Sequence, residues 1–211
     1  GELSLADFVR KGIEVLDNPK GYFMMVESGK IDWANHANDA AASIHDTVAF
    51  ADAIEEALKV YRKYPNDTLI IVTGDHECGG MTIGYAGTGY NTFFEKIEPV
   101  TMSYVEFTKI VDAYKKTVSR ENAKLEDLLA DIKAAYGLVT DGPGLQLTQD
   151  EIGSLRAALE RTMTPETEKK FSVQEKILYG SYEPLTVTLS HIVNNKAGLS
   201  FTSYSHTGLP V

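Results

Sequence analysis

The chain of 211 residues is short of cysteine and of positive charge, and both shortages exclude functions. Its one cysteine, Cys78, forbids an internal disulfide and leaves the redox compartment open. Lys and Arg number 20 against 30 Asp and Glu, a formal net charge of −10. A field of that sign repels nucleic-acid backbones and anionic membrane surfaces, so neither is expected as a partner. It also opposes anionic substrates, unless bound cations reverse the sign locally. No apolar run approaches the length of a membrane span. The opening GELSLADFVRKG is polar throughout and shows no signal peptide. Internal repeats and low-complexity tracts are lacking. The glycines at 79–80 and 87–89 do not have the spacing of a nucleotide-binding loop.

What is there is a 43% hydrophobic composition, enough for one sizeable core with room for a subdomain. Residues 5–17 read as an amphipathic helix, and 39–63 as a longer one, with Ile44, Val48, Ala51, Ile54, Leu58 and Tyr61 three or four apart. Two unbroken apolar runs, Tyr22 to Val26 and Thr68 to Thr73, flank that helix and read as strands buried on both faces. Together they suggest a βαβ unit with parallel strands and a right-handed crossover. An irregular loop over 86–100 precedes a helical block. Ser103 with Glu106 and Thr148 with Glu151 carry capping-box spacing, and Gly137 closes a helix over 125–136. Pro165 and Pro184 each stand where the first turn of a helix tolerates proline. Residues 199–204 alternate as a strand would.

Chemistry gathers in three runs, VESGKIDWANH at 26–36, IVTGDHE at 71–77 and SHTG at 205–208. They supply Glu27, Asp32, His36, Asp75, His76 and His206. An Asp and a His four apart share a helix face, yet such pairs are commonly solvated surface or capping pairs. Asp75 alone could be an N-cap, His76 a hydrogen-bonded core histidine, and His206 a turn residue. The argument for metal is that two strand ends carry the same ligand chemistry. In an open α/β sheet those ends lie side by side, where ligands bind. Three carboxylates and three imidazoles suit a pair of divalent ions, a clamp used for attack on phosphorus. His45 and His191 lie inside helical patterns and read as structural or surface residues. Cys78 reads as a small buried residue, since an oxygen- and nitrogen-rich site has no need of thiolate.

Val26-Glu27-x4-Asp32-x3-His36, Thr73-x-Asp75-His76 and His206-Thr207-Gly208 resemble the metal-binding motifs of the alkaline phosphatase family, in order and in local spacing. The resemblance implies an α/β fold, part of a sandwich with a largely parallel central sheet flanked by helices, plus a mostly helical insertion. Residues 1–87 would be a core segment with metal-ligand motifs, 88–182 a crown-like helical insertion, and 183–211 the return to the core. It further implies that Asp32, His36 and His206 hold a first zinc, that Asp75 and His76 hold a second, and that Glu27 is one ligand of a magnesium. Trp33 stands near the phosphate position, where some members carry Lys or His, and can supply neither a positive charge nor a metal ligand.

The implied reaction is hydrolysis of phosphate monoesters through a phosphoserine, in a periplasmic or extracellular protein that can pair as a homodimer. The family's nucleophile is a serine directly after an aspartate, and no such pair occurs in this sequence. The chain is therefore expected to be a C-terminal fragment with no catalytic nucleophile, inactive alone. The alternatives are a catalytically silent zinc-binding domain and a related phosphodiesterase or sulfatase-like hydrolase.

Overall fold

Helices dominate because their sequences carry start and stop signals that need no distant partner. The computed structural model describes residues 2–165, 167 and 170–208. Helix α1, Leu5–Leu16, starts at Ser4, whose hydroxyl accepts from the Asp7 amide while the Asp7 carboxylate accepts from the Ser4 amide. Helix α2 is short, Gly29–His36, and α3 runs Ala40–Lys63 behind the Asp39 cap. Both α1 and α2 pack on α3.

Further along come α4, Tyr104–Thr117, and α5, Leu129–Tyr136, the latter stopped by Gly137 at φ 67°. Helix α6, Gln149–Thr162, starts on the full Thr148–Glu151 capping box, and α8, Pro184–Lys196, has its proline in the first turn. The reading of Pro165 is corrected: it follows the end of α6, and helix α7, Val173–Tyr179, starts instead at a Ser172–Glu175 capping box. The core is formed by the later helices. Phe107, Val111, Ile132, Leu155, Leu185 and Leu189 are each fully buried in one cluster.

Strands are few. Among the described residues, β1, Thr82–Ile83, pairs antiparallel with β4, Leu199–Ser200, and β2, Leu138–Val139, pairs parallel with β3, Leu145–Gln146. The predicted strand over 199–204 thus shortens to its first two residues. The expected βαβ unit and largely parallel central sheet are not formed among the described residues. Residues 22–26 and 68–73 belong to neither ladder, and Phe23 is 88% and Leu69 84% exposed. The physical reason is that an interior strand needs hydrogen-bonding neighbours on its edges and cover on both faces. The described residues supply neither to these runs.

Candidate metal centre

Helix α2 presents Asp32 and His36 one turn apart, and the His36 Nε2 lies 3.4 Å from Asp32 Oδ2. The other ring nitrogen, Nδ1, is 2.7 Å from the Tyr204 carbonyl. A carbonyl only accepts, so Nδ1 carries the hydrogen and Nε2 keeps its lone pair for a metal. His206 follows β4, and its Nε2 comes within 3.7 Å of Asp32 Oδ1. That Oδ1 is buried with no hydrogen-bond donor. One donor atom from each of Asp32, His36, Cys78 and His206 lies within 4.8 Å of every other. Two imidazoles and a carboxylate whose buried oxygen has no donor fit a divalent ion.

The other predicted residues stand differently. His76 borders the cluster: its ring centroid is 3.8 Å from that of His206, and its Nδ1 is 3.9 Å from Asp32 Oδ1. Asp75 reaches the cluster only through His76, whose Nε2 is 3.4 Å from Asp75 Oδ2. Glu27 is exposed and lies outside the four-donor group, as does Trp33, exposed on α2. His45 is exposed on α3. His191 is a structural residue of α8, its Nε2 donating to Asn38 Oδ1 at 3.0 Å, and burial pushes its pKa down to about 4.

Two residues that the sequence did not single out hold the ligand loops together. Glu77 Oε1 accepts from the Gly80 amide at 2.7 Å, and Oε2 accepts from the Thr207 amide at 3.1 Å and from the Thr207 hydroxyl. Burial raises the Glu77 pKa, but the bonds from Thr207 and Gly80 outweigh it and hold the carboxyl below its usual range. Glu77 thereby ties the loop of Asp75 and His76 to the segment of His206. Asn38, buried at φ 54°, donates to the Asn35 and Ser203 carbonyls at 3.0 and 2.9 Å, fixing the end of α2 to the same segment. Glu77 lies within a motif, so its place beside two ligands was the available signal; nothing local marks Asn38.

Cys78 stands in the turn between these loops. Its Sγ donates to the Asp32 carbonyl at 3.6 Å. Burial, the bond to Asp32 and the charges of Asp32 and Glu77 push the thiol up to about 12. The turn can come this close because of its glycines. A Cβ on Gly80, at φ +62°, would stand 1.9 Å from Thr202 Oγ1, and one on Gly79 would stand 2.7 Å from the Asn35 carbonyl.

Known proteins resemble this chain in sequence and in fold. The chain is 29% identical to alkaline phosphatase 3 of Bacillus subtilis over 97% of its own length and 37% of the relative's. It is 30% identical to alkaline phosphatase 4 of the same organism, over 97% of the chain and 36% of the relative. The chain thus spans little more than a third of the length of these relatives. Among solved structures, a cold-active alkaline phosphatase from the psychrophile Shewanella sp. superposes with a TM-score of 0.69 at 25% identity, over 97% of this chain and 42% of that one. The alkaline phosphatase of Thermus thermophilus shares the fold with a TM-score of 0.70 at 21% identity, over all of this chain and 41% of the other. The family model described as alkaline phosphatase matches residues 2–141, the stretch that carries Asp32, His36, Asp75, His76 and Cys78. With two thirds of its length matched, this chain belongs to the alkaline phosphatase family.

Proposed function

We propose that this chain supplies the metal-holding part of a phosphomonoester hydrolase's active site. The observation that carries the reading is the Asp32 carboxylate, with one oxygen buried and undonated, facing the Nε2 atoms of His36 and His206. These three would hold a first zinc. Asp75 and His76, beside them, would contribute to a second, and Glu27 to a magnesium. Bound there, a divalent zinc would supply polarisation of a phosphoryl oxygen and would offset the charge of the phosphate, which this chain's net charge of −10 otherwise repels. The chain's own residues do the positioning. Tyr204 orients the His36 ring through its carbonyl, and Glu77 sets the distance between the two ligand loops.

The attacking serine of such a reaction, which would carry the phosphoryl group as a phosphoserine, lies outside this sequence. In the longer protein, residues 22–27 and 68–74 would be strands of a largely parallel central sheet. Residues 88–182 would form an insertion shaping access to the centre. A periplasmic or extracellular location and a paired assembly complete this reading. Among the described residues no helix is long and apolar enough to cross a membrane.

By itself the chain is a zinc-binding unit without turnover, because it holds donors but no serine placed after an aspartate. The test is zinc content after dialysis, with turnover of an aryl phosphate measured alongside. The chain should retain zinc and show no saturable hydrolysis, and His36→Ala should lose most of the metal. Equal zinc in both proteins would overturn the ligand reading. Saturable turnover of about 1 per second or more would overturn the account of what the chain lacks.

A further inference from the structure

Away from the donor cluster, helices α6, α7 and α8 and the turn at 85–88 frame an open-mouthed cavity of about 660 Å³. Small-molecule sites commonly measure about 300–1000 Å³. We propose that this cavity binds a small hydroxylated anion, its charge taken by Lys96 and its hydroxyl groups by Tyr179, His191 and Asn195. The site needs no metal and stands apart from the zinc reading.

Charge argues first. Lys96, Lys196 and Glu151 all line the cavity. Lys196 Nζ lies 2.8 Å from Glu151 Oε2, so these two cancel. Lys96 is half-buried, its ammonium 4.1 Å from the Phe93 ring centroid, and it has no carboxylate partner among the described residues. The cavity thus carries one uncompensated positive charge, on a chain whose net charge is −10. A cation partly withdrawn from water attracts an anion more strongly than a solvated one does.

Hydrogen-bonding capacity argues next. Asn38 Nδ2 donates to the Asn35 and Ser203 carbonyls, which fixes Asn38 Oδ1 as an acceptor. His191 Nε2 donates to that oxygen, so His191 Nδ1 is left as an acceptor, with no donor among the described residues. The Tyr179 hydroxyl, on a buried ring, and the half-buried Asn195 side-chain amide have no partner among them either. An acceptor, a hydroxyl and an amide around one cavity suit a ligand that both donates and accepts, as a polyhydroxyl body does. An apolar ligand would leave all three unpaired.

Position ties the cavity to the donor cluster. Leu178 lines it, and the Leu178 carbonyl accepts from the Tyr204 hydroxyl. The Tyr204 carbonyl orients His36, and His191 holds Asn38 at the end of α2. A ligand seated between His191 and Leu178 steadies both contacts. Anion and zinc should therefore tighten each other by the same factor. This link alone rests on the zinc reading.

The test titrates the full chain, freed of metal by a chelator, with sorbitol phosphate, gluconate and sorbitol in a calorimeter. The anions should bind saturably, and sorbitol at least about tenfold more weakly. Binding of one anion alone supports the site and assigns its head group as phosphate or carboxylate. Lys96→Ala should weaken anion binding at least about tenfold. In the unaltered chain the His191 Nδ1 resonance should move in nitrogen NMR, a readout that needs no variant to fold. No saturation by either anion below about 10 mM, sorbitol binding as tightly as both, or an unmoved His191 resonance would overturn the site. Saturating anion should then tighten zinc about fivefold in the unaltered chain and leave it unchanged in Lys96→Ala, which separates the effect from anion bound to the metal. Unchanged zinc affinity in both would overturn the link and leave the site standing. Failure to bind zinc at all would overturn the zinc reading and the link, and not the cavity.

Discussion

Two regions of this chain are similarly apolar in sequence and opposite in behaviour. Helices α4, α5, α6 and α8 close on one another and bury Phe107, Leu155 and Leu189 completely. The runs at 22–26 and 68–73 join no ladder among the described residues and turn Phe23, Met25, Leu69 and Ile71 to the outside. A helix satisfies its own backbone and needs one covered face, so four of them make a core from local pieces. A strand leaves its amides and carbonyls to its neighbours and is unfinished without them. The candidate donor cluster sits at the seam. Asp32 and His36 come from a helix that follows the first extended run, Cys78 follows the second, and His206 leaves the helical region.

The comparison is sharpest where a core side chain is cut. Phe107→Ala should cost about 3–5 kcal/mol of unfolding free energy, read from the denaturant midpoint at constant slope. A loss under about 1 kcal/mol would mean that the helical region is not the stable one. The next effect comes from pH. Burial holds the folded pKa of His191 near 4, against 6.5 in an open chain. The unfolded chain therefore takes up a proton that the folded chain refuses. The stability from neutral His191 is fully present above about pH 6.5 and falls by about 2–3 kcal/mol as pH drops towards 4. His191→Gln, which still offers Asn38 a donor, should flatten that slope relative to the unaltered chain, and an unchanged slope would remove His191 as its source.

Glu77→Gln tests the seam itself. The amide nitrogen cannot accept from Thr207, so about 1.5 kcal/mol should be lost, and zinc affinity should fall with it. Calorimetric titration with zinc that shows the same affinity in both proteins would separate the clamp from the ligands. The smallest effect belongs to the exposed runs. Leu69→Ser with Ile71→Ser should change stability by less than about 0.5 kcal/mol and reduce self-association in sedimentation, because exposed apolar runs whose backbone is unpaired favour aggregation. A large loss of stability would show that these residues are packed after all.

How far the sequence could be read followed the range of each interaction. The Thr148–Glu151 box, Pro184 and Gly137 act within a turn or two of the chain, and all three mark the ends of observed helices. The Ser172–Glu175 box has the same local range and, rather than Pro165, marks the start of α7. Pairing of the apolar runs was not legible, since strand neighbours are non-local. At the centre, the spacing of Asp32 and His36 was readable because one helical turn fixes it. Cys78 was not, because its approach to Asp32 spans 46 residues and depends on the close packing of Gly79 and Gly80. Glu27, which the resemblance assigns to a separate ion, lies outside the four-donor group of the described residues.

The bond from the His36 ring to the Tyr204 carbonyl joins residues 168 apart. The residues between them must be made before the two can meet, and α8 must have docked to bring the second within reach. Contacts of that separation form late, after the local helices have reduced the loop to be closed. If the proposed metal binds, its capture in a stopped-flow refolding experiment would time the last step of folding, since a chain still short of Tyr204 has no carbonyl there to orient the His36 ring.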